Sequence, residues 1–560
     1  MKLARTALPL TCLIIAGLSP ASAQLSKLSS DLQALLSNPL GSADLILQYN
    51  NAPSLLDLLP IRLLGGIINA QYTNLPVLAV RLPLANLLAL LLADLNLTHV
   101  SLDHPLGGTL DYSSAAVNAS AAAQYGLDGS GVGIAVIDSG ISPHADLMNA
   151  SGTASRVVYH QSFVPYKNLD DYGHGTHVAG IIAGNGRSSN VPNSTHLLRG
   201  IAPNANLIDL RVLDANGGTH DSVVILAIDR AVQLRRQYNI RVINLSVGRD
   251  IYESYALDPL CQAVAMAWRN GVVVVAAAGN LGRNGYGTIL SPGNAPSVIT
   301  VGAMKTEATY SRTDDLVASY SSKGPTYIDG VVKPDVVAPG NLVVSLLSPG
   351  STLAAEYPAN VVGPSYYSGT GPSEYFRMSG TSMATPVVAG AAALMVQKEP
   401  SVTPDTVKSR LMKTAFKTFP VSSTACDPST GQCYVSQYDV FTIGAGYIDV
   451  AAALLNHDVA TGSAASPRLR ADSNRAIYFV TDPTTLWNNS SPWSNGAVWG
   501  TNIFQPGMSG TGAVWGTGAV WGTGAVWGTG AVWGTGAVWG TGAVWGTGAV
   551  WGTSRGAGEQ

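Results

Sequence analysis

Short apolar runs alternate with helical patterns between residues 112 and about 456, and this alternation constrains the fold more than any other feature. The runs are apolar on both faces, as strands buried in parallel sheets are. Such runs occupy residues 132–137, 242–246, 272–278 and 298–301. Helical stretches lie between them, as at 223–236 and 260–269. This order predicts an α/β domain whose parallel sheet is flanked by helices.

Two residues stand where catalytic groups are expected in such a sheet. Asp138 ends an apolar run in Val-Ile-Asp-Ser-Gly, and sites in open α/β sheets lie at the carboxyl ends of strands. Capping of the next helix is the alternative role. His174 opens the run His-Gly-Thr-His-Val-Ala-Gly-Ile-Ile-Ala-Gly, whose small residues let a helix pack closely. We expect His174 to face Asp138.

A zinc pair is the alternative for His174 and His177, which lie three residues apart. A zinc site needs a third ligand, and no Glu flanks either histidine as in the helix motif of zinc proteases. We therefore expect His177 to pack or to form hydrogen bonds, and we assign no metal ligand.

Ser382 and Asn280 complete the candidate set. Ser382 lies in Gly-Thr-Ser-Met-Ala-Thr-Pro, just before a predicted small-residue helix at 387–395. A helix N-terminus favours a nucleophile and offers N–H groups to an oxyanion, although a lone Gly-x-Ser is usually only a helix cap. Asn280 follows Ala-Ala-Ala-Gly at the end of a buried run. Its amide can donate to developing negative charge.

The order Asp, His, Asn, Ser and the motifs around these residues resemble those of the subtilisin-like serine proteases, or subtilases. The resemblance covers residues 112 to about 456 and is weaker over 24–111. Further matching segments are 244–248, 291–298 and 333–340. The resemblance implies a serine endopeptidase in which Asp138 orients His174, and His174 takes the proton of Ser382. Asn280 and the backbone N–H of Ser382 would hold the oxyanion.

The resemblance also implies how substrate binds. The residues expected to contact it are Ser246, Val247, Gly248, Ala277, Ala278, Gly279 and Leu290. The segment 246–248 would pair with the substrate backbone as an added strand, which implies broad specificity towards proteins and peptides. Leu290 stands where subtilisins often have Gly, so we expect a shallower, apolar pocket. None of these residues carries a charge for Lys or Arg, and an apolar residue before the scissile bond is predicted.

No cofactor is required for this chemistry. Subtilases often bind structural calcium near the loop that here spans Asn185–Arg199. That loop contains no acidic residue, so no calcium ligand is assigned.

Residues 1–23 are interpreted as a signal peptide. Lys2 and Arg5 precede an apolar stretch at 8–18, and Ala21-Ser22-Ala23 fits the cleavage rule. A membrane anchor is the alternative, but the apolar stretch is too short to span a bilayer. We expect a secreted or extracellular protein, with cell-surface association and a periplasmic location left open.

Residues 24–111 are expected to form a small α+β prodomain, since subtilases carry an inhibitor and chaperone at this place. Residues 42–49 look like its first strand, and 100–106 like the run before the processing site. We expect self-cleavage near Leu110 to Ser114. A permanently attached domain is the alternative.

The polar residues 457–495 are interpreted as a linker, and 496–560 as a low-complexity repeat tail. The hexad Gly-Ala-Val-Trp-Gly-Thr occurs at 496–501 and seven times in tandem at 512–553. Uncharged, β-prone repeats associate readily, and Trp suits interfaces. We expect self-association or surface attachment, with a disordered tail that is trimmed after export as the alternative.

The cysteines and the net charge bear on disulfide bonding and on nucleic-acid binding. Cys426 and Cys433 lie seven residues apart, which is compatible with a local disulfide but leaves their pairing open; Cys261 is expected to be a buried free thiol. A net charge of −3 gives no sign of a basic surface that would bind nucleic acid.

Two other classes of protein are disfavoured. A catalytically inactive surface or binding protein on a protease scaffold is disfavoured because all four expected catalytic positions are filled. A lipase of α/β-hydrolase type would need Gly-x-Ser-x-Gly and the order Ser, Asp, His.

Overall fold

The computed structural model divides into two compact units, one up to residue 106 and one from residue 107 onward. The described residues are 24–25, 27–29, 32–33, 36, 41–71, 76–102, 112–192, 194–367, 369–427, 431–471, 477–480, 482, 484–487 and 498–499. The predicted signal peptide, the processing region up to 111 and the seven tandem hexads lie outside these residues.

Over residues 41–71 and 76–102, the N-terminal unit contains a four-stranded antiparallel sheet and two α-helices. Its elements are β1 (Ser42–Tyr49), α1 (Leu55–Leu63), β2 (Ile67–Gln71), β3 (Val77–Pro83), α2 (Leu87–Ala93) and β4 (Leu97–Leu102). The strand order is β2-β3-β1-β4. Leu45, Leu47 and Tyr49 alternate into a Leu-rich core, as the two-residue period of a strand requires. The first strand predicted at 42–49 is confirmed.

The second unit is built on an eight-stranded, mostly parallel sheet. Its strands are β5 (Gly133–Asp138), β6 (Val157–Ser162), β7 (Asn206–Arg211), β8 (Ile240–Leu245), β9 (Val273–Ala277), β10 (Ile299–Lys305), β11 (Leu316–Val317) and β12 (Val336–Pro339). The order is β11-β10-β9-β8-β5-β7-β6, and β12 pairs with β10. Every pairing is parallel except that of β10 with β11. The four predicted apolar runs form β5, β8, β9 and β10, which confirms the predicted parallel sheet.

Helices flank this sheet, as the sequence predicts. They are α3 (Ser113–Ala116), α4 (His174–Ala183), α5 (Asp221–Leu234), α6 (Pro259–Arg269), α7 (Thr352–Glu356), α8 (Thr381–Lys398), α9 (Pro404–Thr414), α10 (Val440–Ile443) and α11 (Val450–Leu455). Helix α8 is buried at every residue from Thr381 to Val396 and contacts β8, β9, β10 and α4. A helix that is apolar all round belongs in a core. Among the described residues, none of the helices is both long enough and apolar enough to cross a membrane.

Short antiparallel elements complete the second unit. They are β13 (Val343–Leu346), β14 (Val361–Val362), β15 (Tyr375–Met378), β16 (Ser422–Cys426), β17 (Cys433–Gln437), β18 (Arg468–Ala471) and β19 (Ile477–Val480). The hairpin β16–β17 carries the disulfide Cys426–Cys433, and Cys261 is a buried free thiol. The structure thus shows the pairing that the sequence left open, and it confirms the prediction for Cys261. Burial raises the pKa of the Cys261 thiol, because it disfavours the thiolate.

The segment after residue 456 differs from the linker predicted for 457–495. Ser466 is buried and donates to Asp335 Oδ1 at 2.5 Å. Trp487 is 1% exposed, and its Nε1 donates to Ala465 O at 2.7 Å. At least these two residues of the predicted linker are thus packed and hydrogen-bonded inside the fold. The packed unit therefore continues beyond the boundary that the sequence suggested.

Candidate active site

Asp138 and His174 form a buried pair at the carboxyl edge of the main sheet. Asp138 is the last residue of β5, and His174 is the first residue of α4. His174 Nδ1 lies 2.7 Å from Asp138 Oδ1, and both side chains are fully buried. The N–H of Ser139 donates to the same Oδ1 at 2.7 Å. With Nδ1 facing the carboxylate, the neutral ring carries its proton there and Nε2 is the basic nitrogen.

The protonation of His174 reflects two opposing effects. Burial lowers the pKa of an imidazole because it disfavours the charged form. The charge of Asp138 and its hydrogen bond outweigh burial, so the pKa of His174 is raised above its ordinary value of 6.5. His174 Nε2 is buried and has no hydrogen-bond partner in the part of the chain that the structure describes. An oriented imidazole with an open Nε2 can act as a general base.

Asp170 ties the two halves of this pair together, and sequence reasoning missed it. Its Oδ1 accepts from Ser139 Oγ at 2.8 Å and from Gly173 N–H at 2.7 Å. Its Oδ2 accepts from the N–H and the hydroxyl of Thr176, at 2.9 and 2.6 Å. Ser139 directly follows Asp138 in the sequence, whereas Gly173 and Thr176 lie on either side of His174. The only sequence signal was an acid four residues before His174, a position that also suits a simple helix cap.

A close backbone approach explains the glycine that follows His174. A Cβ on Gly175 would lie 2.2 Å from the carbonyl oxygen of Gly140, in the turn after β5. No real side chain tolerates that distance, so any other residue would push α4 away from the turn. This glycine therefore sets the distance over which His174 reaches Asp138.

Ser382 is the second residue of α8 and is 2% exposed. Its Oγ donates to Ser246 O at 3.1 Å, and Ser246 Oγ donates to Ser382 O at 2.9 Å. The hydroxyl thus contacts the segment expected to bind substrate, whereas the sequence predicted transfer of its proton to His174. Catalytic hydrogen bonds often form only when substrate is bound. The backbone N–H of Ser382 lies in the first turn of α8, where N–H groups have no partner within the helix.

Asn280 is held beside the start of α8. Its Oδ1 accepts from the N–H of Thr381 at 2.9 Å and from the hydroxyl of Thr381 at 3.1 Å. That hydroxyl also accepts from Gly279 N–H at 3.1 Å. Since both groups of Thr381 donate to Oδ1 of Asn280, this atom is the amide oxygen, and the other terminal atom of the side chain is the nitrogen Nδ2. Thr381 orients the amide, a role that no sequence pattern predicted.

The predicted substrate-binding residues come together at the ends of β8 and β9, which are neighbours in the sheet. The segments 246–248 and 277–279 follow these two strands. A Cβ on Gly279 would lie 2.7 Å from Leu290 Cγ, and a Cβ on Gly248 would lie 3.1 Å from Leu290 Cβ. Leu290 N–H donates to Ala278 O at 3.0 Å. The Leu290 side chain therefore lies between the two segments and closes the space that separates them.

A cavity of about 500 Å³ adjoins one of these segments. Its lining residues are Thr219, His220, Asp221, Ser222, Val224, Val247, Gly248 and Leu260. Sequence reasoning named only Val247 and Gly248 of this set, because the others lie on α5, on α6 and in the loop before α5.

His177 does not take part in the Asp138–His174 pair. Its Nε2 lies 3.1 Å from the carbonyl oxygens of both Val343 and Phe376. Full burial lowers the pKa of His177 to about 3, so the ring is neutral. Within the described ranges, no cluster of three or more His, Cys, Asp or Glu residues could hold a metal ion. His177 is therefore a packing residue of α4.

The arrangement can perform nucleophilic serine chemistry. A carboxylate orients a base, and a serine lies where helix N–H groups and an amide can meet negative charge. These features define a serine hydrolase, built at the carboxyl edge of a mostly parallel sheet.

Comparison with known proteins assigns the family. The sequence model described as "Peptidase_S8: Subtilase family" matches residues 129–478, more than half of the chain. The chain belongs to the subtilase family and is a subtilisin-like serine endopeptidase.

Two relatives in sequence agree with this assignment, and one solved structure is also similar to part of the chain. "Serine protease AprX" of Bacillus subtilis (strain 168) is 42% identical over 324 residues, which are 56% of this chain and 69% of that protein. "Subtilisin DY" of Bacillus licheniformis is 34% identical over 310 residues, 55% of this chain and 92% of its own. A solved structure described as a cold adapted subtilisin-like serine proteinase is 31% identical, covers 52% of this chain and 84% of its own, and has a TM-score of 0.37.

Proposed function

We propose that this endopeptidase cleaves peptide bonds through an acyl-enzyme on Ser382, with His174 as general base and acid and Asp138 as its orienting carboxylate. The observation that carries the proposal is the buried 2.7 Å pair of Asp138 and His174, whose Nε2 is open. His174 accepts the proton of Ser382 as the hydroxyl attacks the carbonyl. It then returns that proton to the leaving amine.

Substrate binding itself releases the nucleophile in this proposal. In the free enzyme the Ser382 hydroxyl donates to Ser246 O. When a substrate binds as an added strand along 246–248, its backbone N–H groups donate to carbonyl oxygens of this segment. Once Ser246 O accepts from substrate, the hydroxyl turns towards His174 Nε2. The oxyanion that follows accepts from Asn280 Nδ2 and from the Ser382 backbone N–H.

The proposed specificity is broad, with an apolar residue before the scissile bond. The pocket walls are the segments 246–248 and 277–279, and Leu290 is the floor between Gly248 and Gly279. None of these residues is charged, so a Lys or Arg side chain would lose its hydration without gaining a partner. These two segments offer the substrate mainly backbone groups. Hydrogen bonds between backbones do not depend on the substrate's side chains, so many sequences can bind.

The chain is proposed to be an exported precursor. Residues 1–23 direct export, and 24–111 form an inhibitory prodomain and chaperone that the enzyme removes near 110–114. The support is the α+β unit of 41–102, whose own core is separate from that of the catalytic unit. The mature protein is secreted and needs no cofactor for its chemistry. The repeat tail from 496 serves self-association or surface attachment.

Ser382→Ala tests the catalytic proposal directly. Peptidase activity on casein and on a small chromogenic peptide should fall by several decades, to roughly 10³–10⁴ over water, figures established on subtilisin itself. Ser130→Ala, at an exposed serine, is the matched control and should keep full activity. Phenylmethylsulfonyl fluoride should inactivate the wild type and the control. Wild-type turnover by Ser382→Ala would refute the assignment.

The same variant tests self-processing. Expressed without other proteases, Ser382→Ala should remain a precursor that still contains residues 24–111, whereas Ser130→Ala should be cut near 110–114. N-terminal sequencing distinguishes the two. Normal maturation of Ser382→Ala would show that another protease removes the segment.

A further inference from the structure

Two residues of the first hexad lie inside the core of the catalytic unit. Val498 and Trp499 are 0% and 1% exposed. The Trp499 ring packs edge-on against Trp487, with centroids 4.9 Å apart and planes at 71°. Buried aromatic pairs prefer this geometry. A piece of the repeat is therefore a packed part of the catalytic unit.

Lys417 anchors the backbone of the same hexad. Its ammonium donates to Met412 O at 2.9 Å, to Ala445 O at 2.7 Å and to Val498 O at 2.7 Å. These three carbonyls match the three donors of an ammonium group. Burial lowers the pKa of Lys417 to about 7, so the group depends on these acceptors for its charge. Removing Val498 O would leave one buried donor unpaired.

Nothing in these contacts is particular to the first hexad. Lys417 binds a main-chain carbonyl, and Trp487 contacts an indole ring. Each of the seven tandem copies at 512–553 offers the same Val carbonyl and the same Trp in an identical sequence. We propose that Lys417 and Trp487 form a binding slot for the uncharged Gly-Ala-Val-Trp-Gly-Thr hexad, and that hexads of the chain's own tail are interchangeable occupants of it.

The length of the chain favours its own tail, rather than a second copy of the protein, as the source of a hexad that occupies the slot. Trp515 of the next hexad follows Trp487 by 28 residues. A random-coil chain of 28 residues has an average end-to-end distance of about 30 Å, so this spacing does not prevent a tail hexad from reaching the slot. Tethered ligands reach effective concentrations of order mM, which a second molecule must match in solution. The tail thus keeps the slot filled when a single hexad is lost.

Three full-length variants test this, each checked by intact mass. The first is Trp499→Ala. The second combines it with Ala at all seven tail tryptophans, which are Trp515, Trp521, Trp527, Trp533, Trp539, Trp545 and Trp551. The matched control replaces only those seven. The midpoint of thermal unfolding should equal the wild-type value in the control and in Trp499→Ala. It should be lower by roughly 5 °C in the combined variant, in which no hexad has a Trp left for the slot.

Each other outcome counts against the proposal. If Trp499→Ala unfolds as early as the combined variant, tail hexads do not replace the first one. If the combined variant keeps the wild-type midpoint, the slot does not need a hexad. If Trp499→Ala forms concentration-dependent oligomers in sedimentation, a second copy supplies the hexad and the own-chain assignment is wrong. If the combined variant fails to fold, the yields of soluble protein decide: Trp499→Ala should match the wild type, and its loss overturns the proposal.

Discussion

Replacing Leu290 by Gly tests how the main specificity pocket is closed. Leu290 lies between Gly248 and Gly279, close enough that a Cβ on either glycine would meet its side chain. The two walls therefore have no side chains of their own at this depth. Leu290→Gly removes four carbon atoms from between two backbone segments, and the pocket should deepen by that volume.

The deeper pocket should favour large side chains. Phe carries three more side-chain carbons than Leu, and each buried methylene contributes about 0.8 kcal/mol. Since aromatic carbons bring less apolar area than methylenes, we expect a gain of about 1–2 kcal/mol for Phe over Leu. That gain corresponds to a change of roughly 5- to 30-fold in the ratio of kcat/KM for the two residues.

The assay compares two chromogenic peptides that differ only in Phe or Leu before the scissile bond. Leu257→Gly is the matched control, because Leu257 is 67% exposed in a turn. The control should keep the wild-type ratio. If Leu290→Gly also keeps it within about twofold while the protein remains folded, Leu290 is not the floor and the proposed pocket is misplaced.

Three further predictions concern the catalytic groups. Asn280→Ala should lower kcat by ~10²–10³, the loss established for this type of donor in subtilisin itself, with an unchanged unfolding midpoint; an unchanged kcat would remove Asn280 from the oxyanion site. Asp170→Asn should destabilise the fold by about 1–3 kcal/mol in denaturant titrations, because an amide leaves a buried N–H of Gly173 or Thr176 without an acceptor. It should also lower kcat more than it changes KM, and wild-type kinetics would contradict a role in positioning. Because His174 must be neutral to accept a proton and its pKa is raised, activity should be lost as pH falls through a midpoint above 6.5. An acid limb of kcat/KM centred below 6.5 would oppose this.

The sequence predicted the sheet well, and it predicted which strand ends and helix starts carry the proposed catalytic residues, because both depend on local patterns. Apolar runs of strand length identify β5, β8, β9 and β10, and parallel pairing brings the carboxyl ends of these strands to one edge. Asp138 and Asn280 could therefore be placed before the fold was known. His174 and Ser382 were placed by small-residue motifs whose role is a helix start. The observed helices begin at His174 and at Thr381.

Contacts between distant segments could not be predicted in this way. In the sequence Asp170 cannot be distinguished from other acidic loop residues, because its role depends on hydrogen bonds from Ser139 and Thr176 that form only in the folded protein. The composition of 457–495 is polar, and only the finished core shows that Trp487 fills a place in it. Leu290 was recognised from a family pattern, but its position between two glycines depends on two strands that meet only in the sheet.

The burial of α8 has a consequence for how the enzyme survives its own activity. The proposed nucleophile lies on a helix that packs against strands of the main sheet and against α4, and all of its residues from Thr381 to Val396 are buried. Amide hydrogens in such an element exchange only when most of the domain opens, so local fluctuations leave this helix untouched. A neighbouring protease molecule can cut α8 only in the globally unfolded chain, whose population is set by the full free energy of unfolding. Autolysis must therefore begin at the surface loops, and a nicked molecule retains Ser382 in place until the whole domain unfolds.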